Sequence, residues 1–198
     1  MDGGRISNLS TGTFLIAFVC TLAGLEAYSQ SQAIAADKGP QVRENMKNAV
    51  NMMRKLANAE IKYREGSEDS EYGTVIDLFR YDHIDADLAD ALGCPKMTSA
   101  KGKICPGTYV PLRGYLYRLE ITRPTSSETA EYRILGIPAV EPGEPQIGTC
   151  TYYVDQTHVI RTSDDPTVEA GPQSPPIGTP QAPEICQWWV WHLVKKYF

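Results

Sequence analysis

The chain has 198 residues but only three histidines, and none stands at a spacing that metal ligands use. No two cysteines lie two to four residues apart, so a structural zinc site has no ligand pair, and Cys-x-x-Cys-His is absent, which removes a c-type haem. No Gly-x-Ser-x-Gly elbow is present to raise a serine nucleophile. Basic residues are in deficit, 19 Lys and Arg against 24 Asp and Glu, for a net charge of −5. A nucleic-acid partner is therefore excluded, because holding a phosphate backbone needs clustered cations. Only one apolar run exceeds a dozen residues, which rules out several membrane spans. What remains is a folded chain, 42% apolar and 22% charged, long enough for one domain with appendages.

The apolar run carries Phe14, Leu15, Ile16, Phe18, Val19, Leu22 and Leu25 behind a polar start with a single Arg5. It reads as the apolar part of a signal peptide, with small-residue cleavage sites at Ala27-Tyr28-Ser29 and Ala33-Ile34-Ala35. An uncleaved anchor is the rival: about 16 helical residues reach about 24 Å, and extension through Glu26 and Tyr28 closes the gap to a ~30 Å hydrocarbon core. Cys20 inside the run raises a lipoprotein, but Ala17-Phe18-Val19 before it lacks the small neighbour that lipid attachment needs. Residues 1–36 are thus a signal peptide or membrane anchor. Either places the rest of the chain outside the cytoplasm, in the periplasm or on the outer face of a bacterial inner membrane.

Past the leader stand Cys94, Cys105, Cys150 and Cys186. An even number in an exported chain predicts two disulfides. Of the three pairings, Cys94–Cys105 and Cys150–Cys186 are favoured because each closes a local, irregular segment. A loop as small as the first contributes about 2–3 kcal/mol by restricting the unfolded chain.

After Gly39-Pro40, which suits a helix start, Val42, Met46, Ala49, Val50, Met53, Leu56, Ala57 and Ile61 recur at helical spacing. Two short apolar clusters follow, Val75 to Phe79 and Ile84 to Leu92, with Asp82, Asp85, Asp87 and Asp90 on their outside. The period then changes to two. Tyr115 to Ile121, Glu131 to Ile137, Thr149 to Val154 and His158 to Arg161 read as strands of an antiparallel meander, the last pair joined at Asp155-Gln156-Thr157. Helices first and strands afterwards give an α+β domain over residues 37–163. Residues 164–185, with six prolines, read as a semi-extended linker too poor in apolar groups to pack.

The chain closes on an aromatic segment, residues 186–198, which holds Trp188, Trp189, Trp191, Tyr197 and Phe198. Large aromatics dominate binding hot spots and membrane interfaces, and Lys195-Lys196 beside them suits an anionic surface. The segment is read as an interaction site; the plainer alternative is a buried last strand tied to the sheet through Cys186. The aspartates between Asp77 and Asp90 lack the glycine and terminal glutamate of an EF-hand, and at helical spacing they diverge. Lys96, Lys101 and Lys103 are too few for a phosphate cradle, and His158, Asp155 and Ser163 do not form a catalytic pattern.

Three segments carry a resemblance. Asn51 to Tyr63 resembles the end of the long helix of type IV pilins and pseudopilins, Gly114 to Leu119 their first sheet strand, and Tyr152 to Arg161 the strand–turn–strand that closes their sheet. The resemblance covers roughly residues 42–162. It implies a long N-terminal helix packed on a three- to five-stranded antiparallel sheet, no catalytic or cofactor site, and work done by contact with other subunits of a membrane-associated assembly. The leader departs from the family: Gly12-Thr13-Phe14-Leu15-Ile16-Ala17 has Ala17 where the prepilin motif carries Glu, so the motif is degenerate. The expected function is a non-enzymatic minor pilin or pseudopilin of a type IV pilus or type II secretion-like system. The alternatives are an accessory subunit of a respiratory or photosynthetic membrane complex, and a periplasmic enzyme.

Overall fold

The computed structural model describes residues 12–125, 129–139 and 148–187, with side chains from Gly39 onward. The chain divides into two units at Pro40. In the first, the described part is helical backbone, the beginning of α1 (Gly12–Gly66). The membrane candidates Phe14, Leu15, Ile16, Phe18, Val19, Leu22 and Leu25 fall on this backbone, and their side chains lie outside the described set. Pro40 does not start the helix but stands inside it. Proline has no N–H to give to the carbonyl four residues back, and the boundary between the units falls where that rung of the ladder is missing. Among the described residues no helix is long and apolar enough to cross a membrane.

The second unit, from Gln41, is α+β. Along α1, Met46, Ala49, Val50, Met53, Leu56, Ala57 and Glu60 are buried, a stripe at three- and four-residue spacing, while Arg54, Lys55 and Asn58 face out. Two short helices follow. α2 (Val75–Arg80) begins in a capping box, where Thr74 Oγ1 accepts from the Asp77 N–H and the Asp77 carboxylate accepts from the Thr74 N–H. α3 (Ala86–Ala91) is capped by Asp85, whose carboxylate accepts from the Leu88 N–H at 2.9 Å. A small hairpin, β1 (Met97–Thr98) with β2 (Ile104–Cys105), leads into the main sheet.

That sheet has four antiparallel strands in sequence order: β3 (Tyr115–Thr122), β4 (Glu131–Pro138), β5 (Thr151–Asp155) and β6 (Arg161–Ser163). Tyr115 stands opposite Pro138 and Gly136 opposite Tyr152, so alternate residues reach opposite faces. One face gives Tyr115, Tyr117, Tyr132, Ile134, Tyr152 and Val154 to the cluster that holds the α1 stripe, Leu78, Phe79 and Leu88. The contact is close at Gly136, where an added Cβ would stand 3.3 Å from Met53 Sδ. The other face carries a smaller cluster of Leu135, Tyr153 and Ala170, with Ile137 against it.

Ala170 belongs to the stretch that the sequence presents as a linker, and there the structure differs. Thr151 Oγ1 donates to the Val168 carbonyl at 2.8 Å and accepts from the Ala170 N–H at 3.0 Å, pinning the stretch to the sheet. Further on, the Thr162 N–H donates to the Pro175 carbonyl and the Ile177 N–H to the Ile160 carbonyl, so the stretch also lines the β6 edge. Gln187 is buried and closes it, accepting from the Gly178 N–H and donating to the carbonyls of Thr179 and Ala182. Few apolar side chains are needed, because backbone and side-chain hydrogen bonds provide the attachment.

Cys150 and Cys186 are joined, with Cα atoms 5.8 Å apart at a sequence separation of 36, so this expected pair forms. The other does not: Cys94 and Cys105 are buried free thiols. Each sulfur has a carbonyl within reach instead, Pro95 at 3.3 Å from Cys94 Sγ and Cys94 at 3.6 Å from Cys105 Sγ.

Gly148 lies where β5 begins under Tyr115, and a Cβ there would stand 2.5 Å from the Tyr115 hydroxyl oxygen and 2.9 Å from its ring. Tyr115 is fully buried and its hydroxyl donates to the Cys150 carbonyl at 3.0 Å, so the ring has nowhere to go. Gly148→Ala is expected to cost about 1–3 kcal/mol, measured as a lowered urea midpoint with an unchanged slope.

Candidate functional site

The aspartates singled out in the sequence do separate structural work. Asp77 and Asp85 cap α2 and α3. Asp82 accepts from Ser99 Oγ at 3.0 Å and from the Lys101 N–H at 3.1 Å, with Lys103 Nζ at 3.5 Å. This ties the β1–β2 hairpin to the end of α2 and takes Lys101 and Lys103 into a fold contact. Asp90, expected on an outer face, is buried. Its carboxylate accepts from the Gly107 N–H at 3.0 Å, the Thr108 N–H at 3.1 Å, the Thr108 hydroxyl and the Cys105 thiol. Burial opposes its ionisation, but these hydrogen bonds outweigh burial and hold the carboxyl below the usual range. Among the described residues no group of three or more His, Cys, Asp or Glu side chains is placed to hold a metal ion.

Around the β5–β6 turn, Asp155 accepts from the Thr157 N–H at 2.9 Å, from the Thr157 hydroxyl at 2.5 Å and from the Tyr153 hydroxyl at 3.1 Å. These bonds shape the turn that the sequence places there. His158 follows with φ of 58°, its Nδ1 3.3 Å from the Tyr132 hydroxyl. Asp155 and His158 are thus neighbours in a turn, closed by the His158 N–H donating to the Asp155 carbonyl at 2.9 Å, while their side chains have separate partners. Next to them an open cleft of about 390 Å³ runs between α1 and the sheet, lined by Arg54, Ala57, Val154, His158, Ile160 and Ile177. It brings together residues of α1, the sheet and the wrapped 164–187 stretch. The aromatic residues Trp188, Trp189, Trp191, Tyr197 and Phe198 lie outside the described residues.

The residue that the sequence hides best is Glu60. It is fully buried, Oε2 accepts from the Gly73 N–H at 2.9 Å, and Oε1 has no hydrogen-bond partner among the described residues. Tyr72 beside Gly73 packs edge-on against Tyr132, ring centres 4.7 Å apart, and its hydroxyl accepts from Arg64 at 2.9 Å. Burial, opposed only in part by the Gly73 bond and reinforced by Asp77, pushes the Glu60 carboxyl up to about 8. The signal was its position: Glu60 is four residues past Leu56 and seven past Met53, on the apolar stripe.

Compared with protein-family models, with curated proteins and with solved structures, the chain gives no significant match in any of the three. The site's own geometry therefore carries the functional reading.

Glu60 makes a measurable demand on pH. The folded protein keeps its proton to about 8, whereas the unfolded chain releases it near 4.5. Between those values the folded state binds the extra proton, so stability falls as pH rises, by about 1.4 kcal/mol per unit for this group. Chemical denaturation across pH 5–8 is expected to show that slope in the parent protein and to lose it in Glu60→Gln.

Proposed function

We propose that this chain is a non-enzymatic, exported structural or interaction protein of the pilin-like kind, a minor pilin or pseudopilin of a type IV pilus or type II secretion-like system. The observation that carries the reading is an amphipathic helix whose Met46–Leu56 stripe enters one core with an antiparallel meander, followed by a stretch fastened back to the sheet through Cys150–Cys186. A disulfide closing so large a loop belongs to chains that mature in an oxidising compartment. The apolar run at Phe14–Leu25 supplies the route there, as cleaved signal or as anchor. Work by contact suits the exposed apolar groups Ile104, Tyr109 and Val110, which lie together in sequence at the hairpin and the loop after it. In this reading the aromatic residues from Trp188 onward add a second contact surface.

Ala17, in the place of the prepilin glutamate, favours a second reading: an accessory subunit that carries a pilin-like domain into another membrane complex, respiratory or photosynthetic. The two part company in native membranes solubilised with mild detergent. Co-fractionation with pilus or secretion components is expected; a stoichiometric respiratory or photosynthetic complex containing the chain overturns the first reading in favour of the second. Retention in the cytosol with Cys150 and Cys186 reduced removes both.

A further inference from the structure

We propose that Cys94 and Cys105 form a modification site, a thiol pair that a disulfide-bearing oxidant closes, and that closure fixes the loop 106–113. Cys105 Sγ lies 3.6 Å from the Cys94 carbonyl oxygen, and both residues are buried. A disulfide of about 2 Å then requires the Cys94 side chain to turn from the Pro95 carbonyl, 3.3 Å from its sulfur, toward Cys105. Cys105 is on β2, opposite Met97 of β1, so the hairpin holds it beside the chain that leaves Cys94.

The loop is coupled to the pair in two ways. Asp90 accepts the Cys105 S–H and also the Gly107 N–H, the Thr108 N–H and the Thr108 hydroxyl, so one carboxylate holds thiol and loop together. Gly107, at φ of 79°, also lies flat on the Lys96 backbone, where an added Cβ would stand 2.7 Å from the Lys96 nitrogen. Opening residues 106–108 therefore means parting them from the segment that begins at Cys94. A covalent bond between Cys94 and Cys105 prevents that parting. The loop it restrains holds Tyr109 and Arg113 at φ of 45° and 52°, left-handed values costly for these residues, and exposes Tyr109 and Val110. Its apolar surface is thus kept in shape by Asp90 when the pair is reduced, and by Asp90 and the bond together when it is oxidised.

The chemistry is exchange with a small-molecule or protein disulfide. One cysteine loses its proton and attacks the oxidant's S–S bond, which breaks and releases the first thiol; the mixed disulfide is then resolved by the second cysteine, which releases the other. The pair gives up two electrons and two protons, and the oxidant leaves as two thiols. Burial and the contact with Cys105 push the Cys94 thiol up to about 12, so the reaction waits on transient opening of the loop and speeds up with pH.

The test uses the full-length chain in a Cys20→Ser background, so that no earlier thiol competes, treated with oxidised glutathione. Expected is the loss of two thiols and two hydrogens of mass with no adduct, and a peptide linked through Cys94 and Cys105. Amide exchange at Gly107 and Thr108 should slow at least tenfold against both the reduced protein and Cys94→Ser. A stable glutathione adduct, or two thiols persisting through long incubation at pH 9, overturns the site. A linked peptide with unchanged exchange at Gly107 and Thr108 overturns the control of the loop. The outcome stands apart from the pilin-like reading, since neither the peptide map nor the exchange rate involves a partner.

Discussion

The stripe from Met46 to Leu56 against the tyrosine-rich face of the sheet is the contact on which the rest of the second unit depends. Four antiparallel strands cannot protect Tyr115, Tyr117, Tyr132 and Tyr152 by themselves, and a helix with one apolar side is not stable alone in water. Each surface supplies the cover that the other lacks. Gly136 lets the thioether of Met53 come down onto the sheet, and the short helices α2 and α3 close the same core through Leu78, Phe79 and Leu88. Burying such side chains contributes about 1.5–3 kcal/mol each relative to exposure, so the stripe dominates over any single polar contact described above.

Two of the buried carboxylates, Asp90 and Glu60, behave in opposite ways for a physical reason. Asp90 has four donors converging on it and keeps its charge although buried. Glu60 has one donor, at Gly73, and keeps its proton. Desolvation is common to both; the number of hydrogen bonds to the charged form decides which wins. One therefore anchors a loop by charge and the other ties the 70–74 connection to α1 as a neutral acid.

Much of the framework was legible in the residues. The 3.6 period over 42–63 marks the end of the helix, and the period of two over 115–121 and 131–137 marks the two strands, to within a few positions, because one buried face imposes its spacing directly on the sequence. The turn at Asp155 was legible for a local reason, a side chain bonding two residues on. Harder to read were the features that depend on distant partners. Six prolines and few apolar groups make 164–185 look unattached, since hydrogen bonds from Thr151, Thr162 and Gln187 leave no hydrophobic pattern. Glu60 and Asp90 look like surface groups because acidic residues ordinarily are. Pro40 has the local character of a helix start, whereas it stands inside α1, at the boundary between the units. Locality points to Cys150 with Cys186, which are joined, and equally to Cys94 with Cys105, which stand as thiols.

The staple at Cys150 depends on the path between its ends. Cys186 comes within bonding reach of β5 only when the hairpin has turned at Asp155, the chain has crossed the outer face at Ala170, and it has come back along β6. The bond accordingly joins the two ends of that path, and its geometry is met only when each pass of the chain is in its place. In a copy whose 151–185 path is not in place, nothing in the fold holds Cys186 beside Cys150, so the state of the sulfur at position 186 reports on that path.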